Sequence, residues 1–301
     1  MMWVILLLLI LLICISNSLS SLKPISSTKS FVRYLESNSW DIKLDEIRIL
    51  LDPVLIGNLD FGIPLLYKGE RLVIDGNQEL QDLSKVTDYI LITQGFDDHA
   101  HTPTLKKLLT LCPNMPYICP PSARSILEKC GVPSNLIQTM LPGETIQIRK
   151  KNTVIDIIAT TGALLGPPWQ QKENGYIVKP QSKTIPSLYM EPHCMFDASE
   201  LKSYAVDYVI TPIVSQELPA YTLVDGGKKA LDLAIALKAK SIIPMNNGGL
   251  EQSGLLSALV EAKGSDDEFR SLANNAKMKV ETVVPGIPLS IEVKSSLGLF
   301  K

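Results

Sequence analysis

DYILITQGFDDHAH, residues 88–101, is the stretch around which the rest of the chain is organised. Its first part, DYILIT, is rich in β-branched and apolar residues and predicts a short buried strand, which Gly95 ends. Thr102 and Pro103 then offer a helix cap followed by proline at the first helical position, so a helix is predicted through about Leu111. The stretch therefore predicts a strand, a turn and a helix N-terminus in direct succession.

The turn between this strand and this helix carries two acidic residues and two of the three histidines of the chain. These residues are Asp97, Asp98, His99 and His101. Imidazole and carboxylate groups are common protein ligands of zinc and related divalent ions. The third histidine, His193, follows Glu191 in a second loop. Because every histidine falls in one of these two loops, we predict that the loops meet and form a site for zinc or another divalent metal.

Strands and helices alternate on the C-terminal side of the turn. Residues 115–119 predict a strand, and residues 121–131 predict a helix with proline at its start and glycine just beyond its end. Further helices are predicted at residues 226–240, 255–264 and 266–278. Alternation of this kind predicts the α/β class, with a layered sheet that is parallel in part.

Composition excludes some classes of function and bounds others. The chain has 301 residues, of which 46% are apolar and 20% are charged, which is enough for a large core. The net charge of -2 provides no basic surface for nucleic acid, so we expect a small-molecule substrate or ligand. Four cysteines of the predicted domain have no metal-binding spacing and are predicted to be core residues, a disulfide among the first three being the alternative. They are Cys112, Cys119, Cys130 and Cys194.

Residues 1–30 are predicted to be a targeting segment. Residues 3–15 are all apolar, which is typical of the apolar region of a signal peptide and is shorter than the roughly 20 residues of a membrane span. Residues 16–35 are rich in serine, contain three basic residues and have no acidic residue, which is typical of a transit peptide. Together they predict delivery to a plastid, such as a chloroplast, with secretion or the endomembrane system as the alternative. No stable membrane span is expected in the mature protein.

The organising stretch resembles the signature loop of the metallo-β-lactamase superfamily, which reads H-x-H-x-D-H after a strand that ends in Thr or Ser. Thr93 matches the end of that strand, and Asp98 and His99 match the last two positions of the pattern. Gln94 and Phe96 stand where the first two histidines of the pattern belong. The resemblance thus implies a metal site that has lost some of the usual ligands.

The resemblance extends over most of the chain. The segments "DPxLxG" at residues 52–57 and "IIPM" at residues 242–245 occur in the order that the family shows. This implies a four-layered αβ/βα sandwich of the metallo-β-lactamase type, formed by residues 31–301. It also implies a metal-dependent hydrolase, most similar to the ascorbate-6-phosphate lactonase-like branch.

Further site residues are carried over from the family by position. Asp52 would support a metal ligand through a hydrogen bond, and Glu191 would replace the bridging aspartate. Residues 163–165 stand where the family has a histidine ligand, and Asn246 stands at the last histidine position. An amide is a poor metal ligand but can orient a substrate, so Asn246 and Gln94 are predicted to bind substrate.

Two functions are compatible with these residues. The first is a hydrolase with a reduced or rearranged metal site, in which Asp98 and His99 lie at the catalytic centre. Its predicted metal ligands are Asp98, His99, His101, Glu191 and His193. The second is a catalytically inactive member that uses the cleft as a binding or scaffold protein, with His99 and His101 as satisfied polar residues at a helix N-terminus.

Overall fold

The computed structural model describes residues 30–164, 169–219, 221–245 and 249–293. Two features of the sequence interpretation lie outside the described residues. They are the predicted targeting segment, apart from Ser30, and Asn246.

Two seven-stranded sheets form the centre of the molecule. The first contains β1 (Ser30–Tyr34), β2 (Trp40–Leu44), β3 (Ile47–Leu51), β5 (Tyr89–Leu91), β6 (Tyr117–Cys119), β7 (Ile137–Thr139) and β19 (Leu289–Ser290). The second contains β8 (Thr145–Lys150), β9 (Thr153–Thr161), β10 (Asn174–Pro180), β11 (Leu188–Met190), β12 (Tyr208–Pro212), β15 (Ser241–Met245) and β18 (Lys279–Val280). Each sheet has an antiparallel part followed by a parallel part, β3-β5-β6-β7 in one and β11-β12-β15-β18 in the other.

Six α-helices are described, and they lie in two groups along the chain. They are α1 (Gly76–Ser84), α2 (Thr102–Leu111), α3 (Pro121–Lys129), α4 (Ala198–Leu201), α5 (Lys228–Ala236) and α6 (Asp266–Asn275). The longest has ten residues, so none of the helices within the described ranges has the length or the apolar character to cross a bilayer.

The layers follow from the alternation of side chains along each strand. In β3, Ile49 and Leu51 point into the core between the two sheets, whereas Leu50 points to the opposite face and packs with helices α1 to α3. In β12, Ile210 belongs to the core between the sheets and Val209 packs against helices α4 to α6. The order is therefore helices, sheet, sheet, helices, which confirms the predicted four-layered αβ/βα sandwich.

Two small sheets lie beside the main ones and include a segment that was predicted wrongly. They are formed by β4 (Lys68–Arg71) with β16 (Leu250–Ser253), and by β13 (Ser215–Leu218), β14 (Tyr221–Val224) and β17 (Glu261–Lys263). The helix predicted at 255–264 is not formed, because residues 255–259 are turns and β17 pairs with β13. Gly254, with φ +100°, begins this turn, and hydrogen bonding across strands replaces the helical pattern.

The four cysteines of the described residues are free thiols. Cys119, Cys130 and Cys194 are buried, and Cys112 is partly buried. The prediction of ordinary core residues therefore describes them better than the alternative of a disulfide.

Candidate metal centre

The two loops that carry the histidines follow strands of different sheets and meet. One follows β5 and contains Asp98 and His99, and the other follows β11 and contains His193. The centroids of the His99 and His193 rings lie 5.7 Å apart. One potential ligand atom from each of Asp98, His99 and His193 lies within 4.8 Å of the others. The predicted meeting of the two loops is therefore observed.

His99 is held in one orientation by Asp52. The ring is fully buried, and His99 Nδ1 lies 2.8 Å from Asp52 Oδ2. Asp52 also accepts hydrogen bonds from the Thr93 backbone N–H at 2.7 Å and from the Thr93 hydroxyl at 2.5 Å. Because the Asp52 carboxylate accepts a hydrogen bond from His99 Nδ1–H, the other ring nitrogen, Nε2, faces Asp98, whose Oδ2 lies 3.2 Å away. A carboxylate behind an imidazole is a common support of metal-binding histidines.

His193 has the same arrangement with a different partner. Its Nδ1–H donates a hydrogen bond to the backbone carbonyl oxygen of Leu223, at an N–O distance of 2.6 Å. Its Nε2 is buried and has no hydrogen-bond partner among the described residues. A buried nitrogen lone pair without a partner is costly, and a metal ion is the kind of group that would satisfy it.

The donor set fits one divalent ion. Two imidazoles and one carboxylate with further positions open suit zinc and also iron(II). Ligand atoms on one zinc ion lie at most about 4.2 Å apart, because each bond is about 2.1 Å long. The observed group, within 4.8 Å, is close to that size. Within the described ranges it is the single cluster of this kind.

Asp98 lies at the solvent side of this group. Its side chain is 26% exposed, and the Asn38 amide donates to its backbone oxygen at 3.0 Å and to its carboxylate at 3.3 Å. Burial opposes ionisation of Asp98, but the positive charge of His99 and its hydrogen bond outweigh burial and hold the pKa of Asp98 below its usual value. The carboxylate is therefore ionised and available to an ion at neutral pH.

The backbone around the group is unusually constrained. Asp52, which supports His99, and Cys194, which directly follows His193, are in the left-handed region with φ of 42° and 53°. Gly95 is required by close packing, since a Cβ there would lie 2.6 Å from the backbone carbon of Ser122. Left-handed residues other than glycine are uncommon and concentrate at functional sites.

His101 and Glu191, two of the predicted ligands, lie outside the group of metal-competent side chains. His101 is the N-cap residue of α2, and its ring contacts the Thr104 hydroxyl at 2.9 Å and the Asn58 carbonyl at 3.3 Å. Glu191 accepts hydrogen bonds from the backbone N–H groups of His193 at 3.1 Å and Met195 at 2.6 Å. Glu191 thus holds the loop that carries His193.

Two of the positions at which the family has a histidine ligand, Gln94 and Ala163, are buried. Gln94 is fully buried, and neither its amide oxygen nor its amide nitrogen has a hydrogen-bond partner among the described residues. Ala163 is fully buried. The substrate-binding role assigned to Gln94 and Asn246 stays a prediction.

Sequence interpretation missed three contributors to the site. They are Asn38, Tyr67 and the carbonyl of Leu223. Asn38 lies in the turn between β1 and β2, where asparagine is expected for local reasons. The contribution of Leu223 is a backbone oxygen, which any residue type supplies. No pattern in the sequence could have identified it.

The metal-free protein is expected to lose stability as the pH rises from about 6.5 to about 10. Burial alone would lower the pKa of His99, but the charges of Asp98 and Asp52 outweigh burial and raise this pKa to about 10 from 6.5. Burial raises the pKa of Glu191 to about 8. The folded protein therefore binds more protons than the unfolded chain in this window, and its free energy of unfolding falls as they dissociate.

Urea unfolding in the presence of a chelator measures this dependence. The zinc-loaded protein is the control, because an ion on His99 Nε2 would take the place of the proton and remove the His99 contribution. A metal-free stability that rises across the window would contradict the arrangement of His99 between two carboxylates.

Comparison with known proteins agrees with the fold. The profile of a β-lactamase superfamily domain matches residues 31–246. Igni18, a metallo hydrolase from the archaeon Ignicoccus hospitalis, superposes with a TM-score of 0.59 at 16% identity, covering 88% of this chain and 99% of that one. An isothiocyanate hydrolase from Delia radicum gut bacteria gives a TM-score of 0.61 at 12% identity, covering 88% and 100%.

A third similar structure is YhfI from Bacillus subtilis, a metallo-β-lactamase fold protein, with a TM-score of 0.54 at 10% identity, covering 86% of this chain and 98% of that one. The comparison with curated proteins gives no match. At these identities the solved structures show the fold alone, whereas the profile spans most of the chain. The chain belongs to the β-lactamase superfamily.

Proposed function

We propose that this protein is a hydrolase that binds one divalent metal ion through Asp98, His99 and His193. The observation that carries this proposal is the pair of histidines whose Nδ1 atoms are each held by an acceptor, Asp52 Oδ2 and the Leu223 carbonyl. With each Nδ1–H engaged in this way, the Nε2 atoms of both rings are the ones available to a metal ion. The ionised carboxylate of Asp98 lies beside them. When bound, the ion would supply Lewis-acid activation of water and of the bond to be cleaved.

The side chains around the ion would have separate duties. Asp52 fixes the tautomer and the ring direction of His99, and Glu191 fixes the loop of His193 through two backbone hydrogen bonds. Burial raises the pKa of Tyr67 to about 12, and the charge of Asp98 adds to this effect. The Tyr67 phenol therefore keeps its proton at neutral pH and can donate a hydrogen bond to a substrate or a leaving group.

A second candidate is a binding protein without catalysis. It is favoured by the family positions that no longer carry histidine, Gln94, Phe96 and Ala163, since a dinuclear site needs more ligands than the described group provides. In the metal-free form, a protonated His99 between Asp52 and Asp98 would neutralise the charge of these carboxylates, as a bound metal ion would. The two candidates differ in whether the group takes up metal.

Zinc titration of the purified protein separates the two candidates. After removal of metal by a chelator, we expect uptake of about one ion per chain, as a site with three protein ligands requires. Hydrolysis of 4-nitrophenyl butyrate, a general ester probe, should appear with the ion and disappear with the chelator. If the folded protein takes up no zinc, cobalt or iron(II), the hydrolase proposal fails and a role as a non-catalytic binding protein is retained.

A further inference from the structure

A cavity of about 230 Å³ opens beside the candidate metal group. Its lining includes Asp98 and His193 from the group and Asn38, which hydrogen-bonds to Asp98. A molecule in this cavity would contact the group directly. The volume is below the roughly 300–1,000 Å³ of pockets for drug-sized ligands, so its occupant is a smaller molecule.

The cavity wall is mainly apolar. Aliphatic and aromatic side chains reach it from three separate parts of the chain: the loop before β4, the hairpin β13-β14, and the turn that follows β16. Examples are Leu59, Phe61, Leu218, Leu223, Leu256 and Val260. Burial of an apolar group against them is favourable by about 25 cal/mol for each Å² removed from water. The wall therefore suits a hydrocarbon chain or ring.

The charge of the wall disfavours anions. Among the described residues that line the cavity, Asp98 is the one with a permanent charge, and none is Lys or Arg. Phosphates and carboxylates are usually recognised by Arg, Lys or helix N-termini. The charged His99 lies behind Asp98, where it is paired with the carboxylates of Asp98 and Asp52 and does not line the cavity. An anion in the cavity would therefore face the Asp98 carboxylate with no Lys or Arg to bind it, which is unfavourable.

The polar part of the wall consists of neutral hydrogen-bonding groups. Ser37, Asn38, Gln216 and Gln252 line it together with the Tyr67 ring. Tyr67 also packs with Phe61, with ring centroids 5.5 Å apart. Such groups can donate to or accept from a carbonyl, an ester or an amide without requiring a charge on the ligand.

We propose that this cavity is the substrate pocket and that it takes an uncharged, largely apolar molecule with a carbonyl-type group, such as an ester, a lactone or an amide. The assignment of the pocket to a substrate rests on the proposed hydrolase. The preference for uncharged over anionic ligands is a property of the wall itself and is testable in the metal-free protein.

Octanamide and octanoate are a matched pair of probes, since they have the same size and chain and differ in charge. We expect metal-free protein to bind octanamide at least about tenfold more tightly than octanoate in calorimetric titration, a difference of about 1.4 kcal/mol. Leu256→Arg should reverse this preference by placing a cation in the wall. Equal binding of the two probes, or tighter binding of octanoate, would overturn the proposal.

Leu259→Arg is the control for Leu256→Arg. Leu259 lies in the same turn but is 51% exposed and does not line the cavity, so this variant should keep the preference of the native protein. A reversal in both variants would show that the probes bind the surface and would also overturn the proposal. Asp98→Asn should raise the affinity for octanoate by removing a negative charge.

The outcomes for the pocket and for the hydrolase are distinguishable. If octanamide binds as expected but the protein takes up no metal, the pocket stands and the hydrolase does not. If the protein takes up metal and cleaves the ester probe but shows no preference for octanamide, the hydrolase stands and the assignment of an uncharged substrate fails.

Discussion

Replacing His193 with alanine is expected to weaken zinc binding by more than about 100-fold. Loss of a partner that only orients a ligand typically costs 10- to 100-fold in metal affinity, and loss of the ligand itself should cost more. His193 is the better choice than His99 for this test. His99 lies between two carboxylates, and its removal would leave Asp52 buried without a partner for its charge.

The matched control is His101→Ala. His101 is a buried histidine of the same loop as His99, but its ring contacts Thr104 and Asn58 and lies outside the metal group. This variant should lose some stability, about 1–2 kcal/mol for the hydrogen bonds of a buried polar group, and keep the native zinc affinity. Competition with a chelator of known affinity measures both variants. If His101→Ala loses zinc as strongly as His193→Ala, the assigned ligand set is wrong.

The second large effect is expected for Asp52→Asn, which should destabilise the metal-free protein by about 3–5 kcal/mol, as for a broken buried ion pair. Three groups donate to the Asp52 carboxylate: the Thr93 N–H, the Thr93 hydroxyl and His99 Nδ1. An amide has one acceptor oxygen, so its NH₂ group must face a donor in either orientation. Asparagine tolerates the left-handed backbone of residue 52, so the change alters the charge and the hydrogen bonds of the side chain without straining the backbone.

Asp52→Asn should also lower zinc affinity by about 10- to 100-fold, because His99 loses its support. Asp41→Asn is the control for this effect. Asp41 is equally buried and forms ion pairs with Arg33 at 2.9 Å and Arg48 at 2.7 Å, away from the metal group. The Asp41→Asn variant should be less stable than the native protein but should bind zinc with the native affinity. Equal losses of affinity in the two variants would mean that destabilisation alone weakens the site.

The local structure around the site was largely predictable from sequence. The prolines near the start of α2 and α3 predicted a helix through about Leu111 and a helix over residues 121–131, and the observed helices are Thr102–Leu111 and Pro121–Lys129. Such signals are local, since the period of side chains and the caps of helices involve neighbours within a few residues. The same holds for Asp98 and His99, which share one turn.

The segment 255–264 shows where local signals failed. Its sequence, LLSALVEAKG, contains good helix formers, and a helix was predicted. In the structure Glu217 of β13 pairs with Glu261, and Leu256 N–H bonds to the carbonyl of Leu66. Strand pairing with segments distant in sequence outweighs helix propensity here, because propensity contributes less than one kcal/mol for each ordinary residue.

The α/β class, the four-layered sandwich implied by the family pattern, and the two loops that carry the candidate metal group were all predictable from the sequence. Which histidines share that group depends on tertiary packing. The ring of His193 is oriented toward the group by a hydrogen bond to the Leu223 carbonyl, 30 residues away. The ring of His99 is oriented by Asp52, 47 residues away. His101 is bonded to Thr104, one helical turn away, and faces elsewhere. The direction of a loop side chain depends on partners that packing brings from distant positions, and no local pattern encodes them.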